Sequence, residues 1–151
     1  MPITELTSDQ SAKAPPGFGQ QGAVAGMHPD SNWKSAAEST LTQLSLLRQN
    51  WDQYGAPPID AAVIDAAKML VLALPDVLAA PPRIVPMSSG NLQFEWHRGR
   101  RVLEMEFENL QMIRYLKWDA EKGVEEEHTI AAADAKTALT LIHWFIGENG
   151  E

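Results

Sequence analysis

The chain has 151 residues, 44% of them hydrophobic and 21% charged, with a formal net charge of -8 at pH 7 and no cysteine. That length supports one domain with a proper core; the missing cysteines exclude disulfides, thiolate metal sites and a cysteine nucleophile. The acidity argues against a broad duplex-DNA face, no apolar run reaches the roughly 18 residues of a membrane span, and no basic-then-apolar leader is present, so the chain reads as cytoplasmic.

Residues 1–30 read as a flexible tail of Ser, Pro, Gly, Gln and Ala, too poor in large apolar groups to offset its ordering entropy. Phe18, within Pro15 to Gly19, is the candidate anchor of a docking peptide there. Residues 31–151 read as a single domain. A helix is expected from Ser31 to about Gln49, because Trp33, Ala37, Leu41, Leu44 and Leu47 recur at three- and four-residue steps. Asp30 or Ser31 suits its N-cap, Ser35 with Glu38 offers a later capping box, and Leu46 widens the stripe. A second helix is expected from Ala61 to Leu74, stopped by Pro75.

Strand signals follow a Pro- and Ala-rich connector at residues 76–82. Arg83 to Met87 is short and contains Pro86, which marks an edge. Leu92, Phe94 and Trp96 alternate with polar residues, as do Leu103, Met105 and Phe107 with Glu104, Glu106 and Glu108. A turn is expected at Arg98 to Arg100. Gln111 to Trp118 carries apolar groups on both faces and reads as central. Val124 to Ile130 is the last strand, and Ala131 to Ile146 is a closing helix capped by Gly147. The expected fold is α+β: two N-terminal helices, an antiparallel meander of four to five strands, and a C-terminal helix packed on one face.

Between the first two helices lies the densest stretch, Asn50-Trp51-Asp52-Gln53-Tyr54-Gly55-Ala56-Pro57-Pro58-Ile59-Asp60. Trp51 and Tyr54 offer large apolar area to bury. Gly55 suits a positive φ at the end of the preceding helix, the two prolines forbid helix, and Asp60 with Ile59 and Ile64 suits an N-cap and staple. The stretch is either an architectural corner or a pocket built on Trp51, Asp52 and Tyr54. It resembles the N-W-D-x-Y-G-A-x-P-I signature of small bacterial proteins with no assigned activity. In these a helix follows, and then a strand-rich segment, here Pro86 to Trp96. The resemblance covers about residues 44–107. It implies a stress, toxin–antitoxin or phage-defence (CRISPR-like) setting and no particular chemistry.

The four histidines, His28, His97, His128 and His143, lack the i, i+4 spacing of a zinc site. Glu125, Glu127 and His128 could join Glu104 or Glu106 around a divalent metal, but alternating glutamates on a strand read more simply as a solvated face. No nucleophile elbow, P-loop or dinucleotide fingerprint occurs, so no catalytic residue, cofactor or metal is assigned. Arg98, Arg100 and Arg101 with Trp118 outline a single-stranded RNA platform, with cross-strand Arg–Glu pairing as the simpler reading. The favoured reading is a non-enzymatic protein–protein interaction module, an accessory or regulatory subunit that meets a basic partner through Glu104, Glu106 and Glu108, with Trp118 and Trp144 as exposed anchors. An open sheet face, or the edge at Arg83 to Met87, is where a partner could add. The alternative is a small-molecule-binding or hydrolytic domain at the Trp51, Asp52, Tyr54, Gly55 corner.

Overall fold

The computed structural model describes residues 32–147 as α1 (Trp33–Leu44), α2 (Ala61–Ala73), β1 (Arg83–Pro86), β2 (Leu92–Arg98), β3 (Arg101–Phe107), β4 (Met112–Asp119), β5 (Val124–Ala131) and α3 (Ala135–Ile146). The expected tail, its Phe18 anchor and the proposed caps Asp30 and Ser31 lie outside the described residues.

Helix α1 buries Trp33, Ala37 and Leu41, the expected stripe, but stops at Leu44 rather than near Gln49. Beyond it Leu46 N–H donates to the Gln43 carbonyl and Leu47 N–H to Leu44, while the Ser45 hydroxyl donates to the Thr42 carbonyl. These three-residue bonds tighten the last turn and end the helix. Leu46 is therefore exposed and widens no stripe, and Ser35 lies inside α1, too late to cap it. Helix α2 starts where expected: the Asp60 carboxylate accepts from Ala62 N–H at 2.9 Å, and Ile59 and Ile64 are both buried. It ends at Ala73, and its C-cap, Leu74, has the extended backbone that a residue before proline adopts.

The proline-containing links are held by tryptophans. Trp33 Nε1 donates to the Pro75 carbonyl (3.0 Å), Trp51 Nε1 to Pro57 (2.8 Å) and Trp96 Nε1 to Ala80 (2.6 Å). Extended links of this kind have no ladder partners, and the indoles supply them. The first bond, with the Lys34–Asp76 ion pair at 3.1 Å, ties the start of α1 to the end of α2.

The sheet is a five-stranded antiparallel meander in the order β1-β2-β3-β4-β5. Period-2 alternation divides its side chains. Leu92, Phe94, Trp96, Leu103, Met105, Phe107, Ile113 and Tyr115 are buried and belong to one cluster with residues of all three helices, among them Leu41, Val63, Leu70 and Ile142. Phe94 and Phe107 pack at 4.7 Å between ring centroids. The alternate set lies outside that cluster. Strand β4 is interior, between β3 and β5, in keeping with its two apolar faces. Two boundaries move. Arg98 pairs with Arg101, so the expected turn at Arg98 to Arg100 shrinks to Gly99 and Arg100. Helix α3 begins at Ala135, not Ala131, because Ala131 completes β5 and the Asp134 carboxylate caps the helix through Thr137 N–H.

Candidate functional site

The corner spends its polar groups on itself. Asp52 Oδ1 accepts from the N–H of Tyr54 (2.8 Å) and of Ala56 (3.0 Å), Asn50 Oδ1 accepts from Gly55 N–H (2.7 Å), and Asn50 N–H donates to the Ala56 carbonyl (2.7 Å). Asn50 and Gln53 take positive φ, at 70° and 67°. Gly55 does as well, but within this loop and not as the end of α1. Tyr54, expected to bury its ring, is 92% exposed. The corner also braces a distant turn. Asp60 N–H donates to the Gly90 carbonyl (3.0 Å), and a Cβ on Gly90 would lie 3.3 Å from the Pro58 carbonyl oxygen. Asn50 to Ile59 and Pro86 to Trp96 thus meet in space. A cleft of about 420 Å³ lies elsewhere, lined by Ala80, Arg83, Glu95, Trp96, Arg98 and Phe145 among others.

Two of the three arginines of the expected RNA platform, Arg98 and Arg101, hold the last turn of α3, while Arg100 lies exposed in the turn. Arg101 Nη1 donates to the Trp144 carbonyl (2.7 Å), and Arg98 Nη2 donates to those of Phe145 and Ile146 (both 3.1 Å). Final-turn carbonyls lack helical partners and carry the negative end of the helix dipole, so two guanidinium groups suit them. Arg101 Nε also donates to Asp119 Oδ2 at 3.0 Å, and Asp119 Oδ1 accepts from Glu121 and Lys122 N–H. Burial pushes the Asp119 carboxyl up, but the Lys122 N–H, the Arg101 guanidinium and the Glu121 N–H together outweigh it and hold its pKa below the ordinary carboxylate value. Trp144, expected as an exposed anchor, is only 9% exposed, with Arg101 and Lys117 over its ring at 4.9 and 4.8 Å. It is not a surface anchor. Trp118 lies on the opposite face of the sheet from Arg98 and Arg101, so the platform is not assembled.

Trp118 does sit with the glutamates. On the face away from the core, β2 to β5 align Glu95, Glu104, Leu116 and Glu127 in one row and His97, Val102, Trp118 and Glu125 in the next. A third row holds Gln93, Glu106, Arg114 and Thr129, and Glu108 reaches the same face through Arg114 at 2.9 Å. Arg114 also pairs with Glu106 (3.1 Å), whose other oxygen accepts from Asn91 Nδ2 (2.9 Å). Its hydrogen bond with Glu106, then the charges of Glu108 and Glu106, raise the Arg114 pKa. Glu104 has His97 at 3.5 Å, and Glu95 has Arg83 at 3.5 Å. Glu125 and Glu127 are exposed, and Trp118 is 40% exposed.

The metal reading fails on alternation: Glu125 and Glu127 share the open face with Glu104 and Glu106, but His128 lies on the other side with Glu126. Among the described residues no group of three or more His, Asp or Glu is placed to hold a metal ion. On that other side the Tyr115 hydroxyl donates to Glu126 (2.6 Å). Burial, then that hydrogen bond and the Glu126 charge, push the Tyr115 pKa up to about 12.

The roles of Arg98, Arg101 and Asp119 were not anticipated, although a signal existed. Arg98 is in phase with buried Trp96, Arg101 with Leu103, and Asp119 with Tyr115, so period-2 alternation alone points all three inward. Among the described residues no helix is long and apolar enough to cross a membrane. Comparison with protein-family models, curated proteins and solved structures gives no match.

Proposed function

We propose that this domain is a non-enzymatic docking module, an accessory or regulatory subunit, whose open sheet face receives a basic surface of another protein. The observation that carries this reading is the composition of that face: Glu95, Glu104, Glu106, Glu108, Glu125 and Glu127 against Arg83 and Arg114, with Trp118 among them. Six carboxylates against two guanidinium groups leave an excess negative field. Glu95 and Glu104 stand directly opposite each other, an arrangement that costs stability in the free protein and is relieved by an incoming cation. Trp118 supplies aromatic area among charges, as interface anchors do.

The role of Trp118 is reached partly by elimination. Of the five tryptophans, Trp33, Trp51 and Trp96 donate to backbone carbonyls within the fold and Trp144 is covered by cations. The pocket alternative at the corner has less support, since Asp52 is engaged by backbone amides.

The test is a triple charge reversal, Glu104→Lys, Glu106→Lys and Glu108→Lys, assayed by pull-down from lysate of the native host. A basic protein retained by the wild type and lost by the variant, with thermal unfolding showing the variant folded, supports the reading. Unchanged capture by the folded variant sinks it. Surface electrostatics of this kind weaken with salt, because the screening length falls from about 10 Å at 0.1 M to about 3 Å at 1 M.

A further inference from the structure

The open face ends at β5, and among the described residues the outer side of β5 is an unpaired edge. The strand runs eight residues, Val124–Ala131, without proline or glycine, and among the described residues only β4 pairs with it. The opposite edge is different: β1 has four residues, ends in Pro86 and lies beside α1. The sequence pointed to that edge at Arg83 to Met87, and its length and Pro86 make it the poorer template.

The phase of the β4–β5 ladder identifies the free backbone groups. Ala132 N–H donates to the Gln111 carbonyl at 2.7 Å, just beyond the register pair Met112–Ala131. Hydrogen-bonded and non-hydrogen-bonded pairs alternate along an antiparallel ladder. The amides of Ile130, His128, Glu126 and Val124 therefore turn toward β4. Those of Ala131, Thr129, Glu127 and Glu125 turn outward. The same outward residues place their side chains on the open acidic face.

We propose that β5 takes an extended basic segment of the partner as a sixth strand. This rests on the docking reading and names how the partner is held. The outward N–H and C=O groups would bond the incoming backbone, and Lys or Arg at alternate positions would stand beside Glu125 and Glu127 as cross-strand pairs. A second copy of this chain is the poorer occupant, because edge-to-edge pairing brings two Glu125–Glu127 runs within one strand length of each other. The glutamate run thus guards the edge against self-association while selecting a cationic strand.

The test titrates the full chain with a capped peptide of alternating Lys and Val, about eight residues long, and with its analogue N-methylated at alternate residues. The two peptides carry the same charge but differ in backbone donors. Backbone-amide NMR is the readout. Strand addition predicts exchange protection at Glu125, Glu127, Thr129 and Ala131, and binding of the methylated peptide weaker by roughly tenfold. Thr129→Pro removes one outward donor and leaves the β4 ladder whole, so it should weaken the unmodified peptide similarly, while Thr129→Val should not. Equal binding of both peptides, or wild-type binding by a folded Thr129→Pro variant, overturns strand addition. If the triple charge reversal still abolishes that binding, the docking face stands without it. Failure of both peptides to bind at low salt overturns both readings.

Discussion

Replacing Asp52 by alanine separates a structural corner from a ligand pocket. The carboxylate accepts two backbone N–H bonds, from Tyr54 at 2.8 Å and Ala56 at 3.0 Å, and so closes the stretch that holds the positive-φ residues Gln53 and Gly55. Removing it leaves two amides to find water in a half-buried loop. A hydrogen bond to a charged acceptor contributes about 1.5–3 kcal/mol when well shielded, and less at a half-exposed corner, so two lost bonds should cost about 2–3 kcal/mol together. For a folded part of this size that lowers Tm by roughly 8–12 °C. Asp52→Asn keeps an acceptor in place and should recover about half of the loss. Urea and thermal unfolding of the three proteins measure this directly. An Asp52→Ala protein within about 0.5 kcal/mol of wild type would refute the corner argument and return Asp52 to the list of free functional groups.

Gly90→Ala should cost about 1–3 kcal/mol, since φ is +95° and the new methyl meets the Pro58 carbonyl at 3.3 Å; unfolding by urea reads it, and a neutral or stabilising result would contradict the bracing of this turn. In acid, Asp119 and Asp134 should make stability fall with pH. Both have folded pKa values below the ordinary one, Asp134 through the Thr137 N–H and hydroxyl. Their contribution is therefore complete above the unfolded carboxylate value of about 4 and lost as pH drops through the folded values. Urea midpoints from neutral pH into that range should decline, less steeply in Asp119→Asn than in wild type. In alkali, the remaining tyrosine of a Tyr54→Phe protein should ionise at about 12, followed by absorbance of the phenolate. The folded Tyr115 pKa is raised, so its contribution holds below the unfolded value of about 10 and is lost as pH climbs toward the folded one.

The strands were legible because their alternation is strong and local. Leu103, Met105 and Phe107 against Glu104 and Glu106 fix both the strand and the face each residue occupies. The start of α2 was legible for the same reason, since Asp60 and the Ile59/Ile64 staple act within one turn. The end of α1 was not: Leu44 and Leu47 continue the helical spacing, and only the Ser45–Thr42 bond and the tightened turn stop it. Trp144 was misjudged for a different reason. It looked turned away from the stripe of α3, but the groups that cover it, Arg101 and Lys117, come from β3 and β4. No helical pattern contains that information. Tyr54 shows the converse, a large aromatic in a dense motif whose backbone does the structural work while the ring faces solvent.

The central claim is that the open face built by β2 to β5 is a docking surface for a basic partner. One measurement reaches it most directly: capture from native lysate by wild type and by the Glu104→Lys, Glu106→Lys, Glu108→Lys variant, side by side at low and high salt, with the captured protein identified by mass spectrometry. The account predicts a basic protein, near stoichiometric on the wild type at low salt, released at high salt and missing from the folded variant. The same protein held equally by both, at either salt, would contradict it.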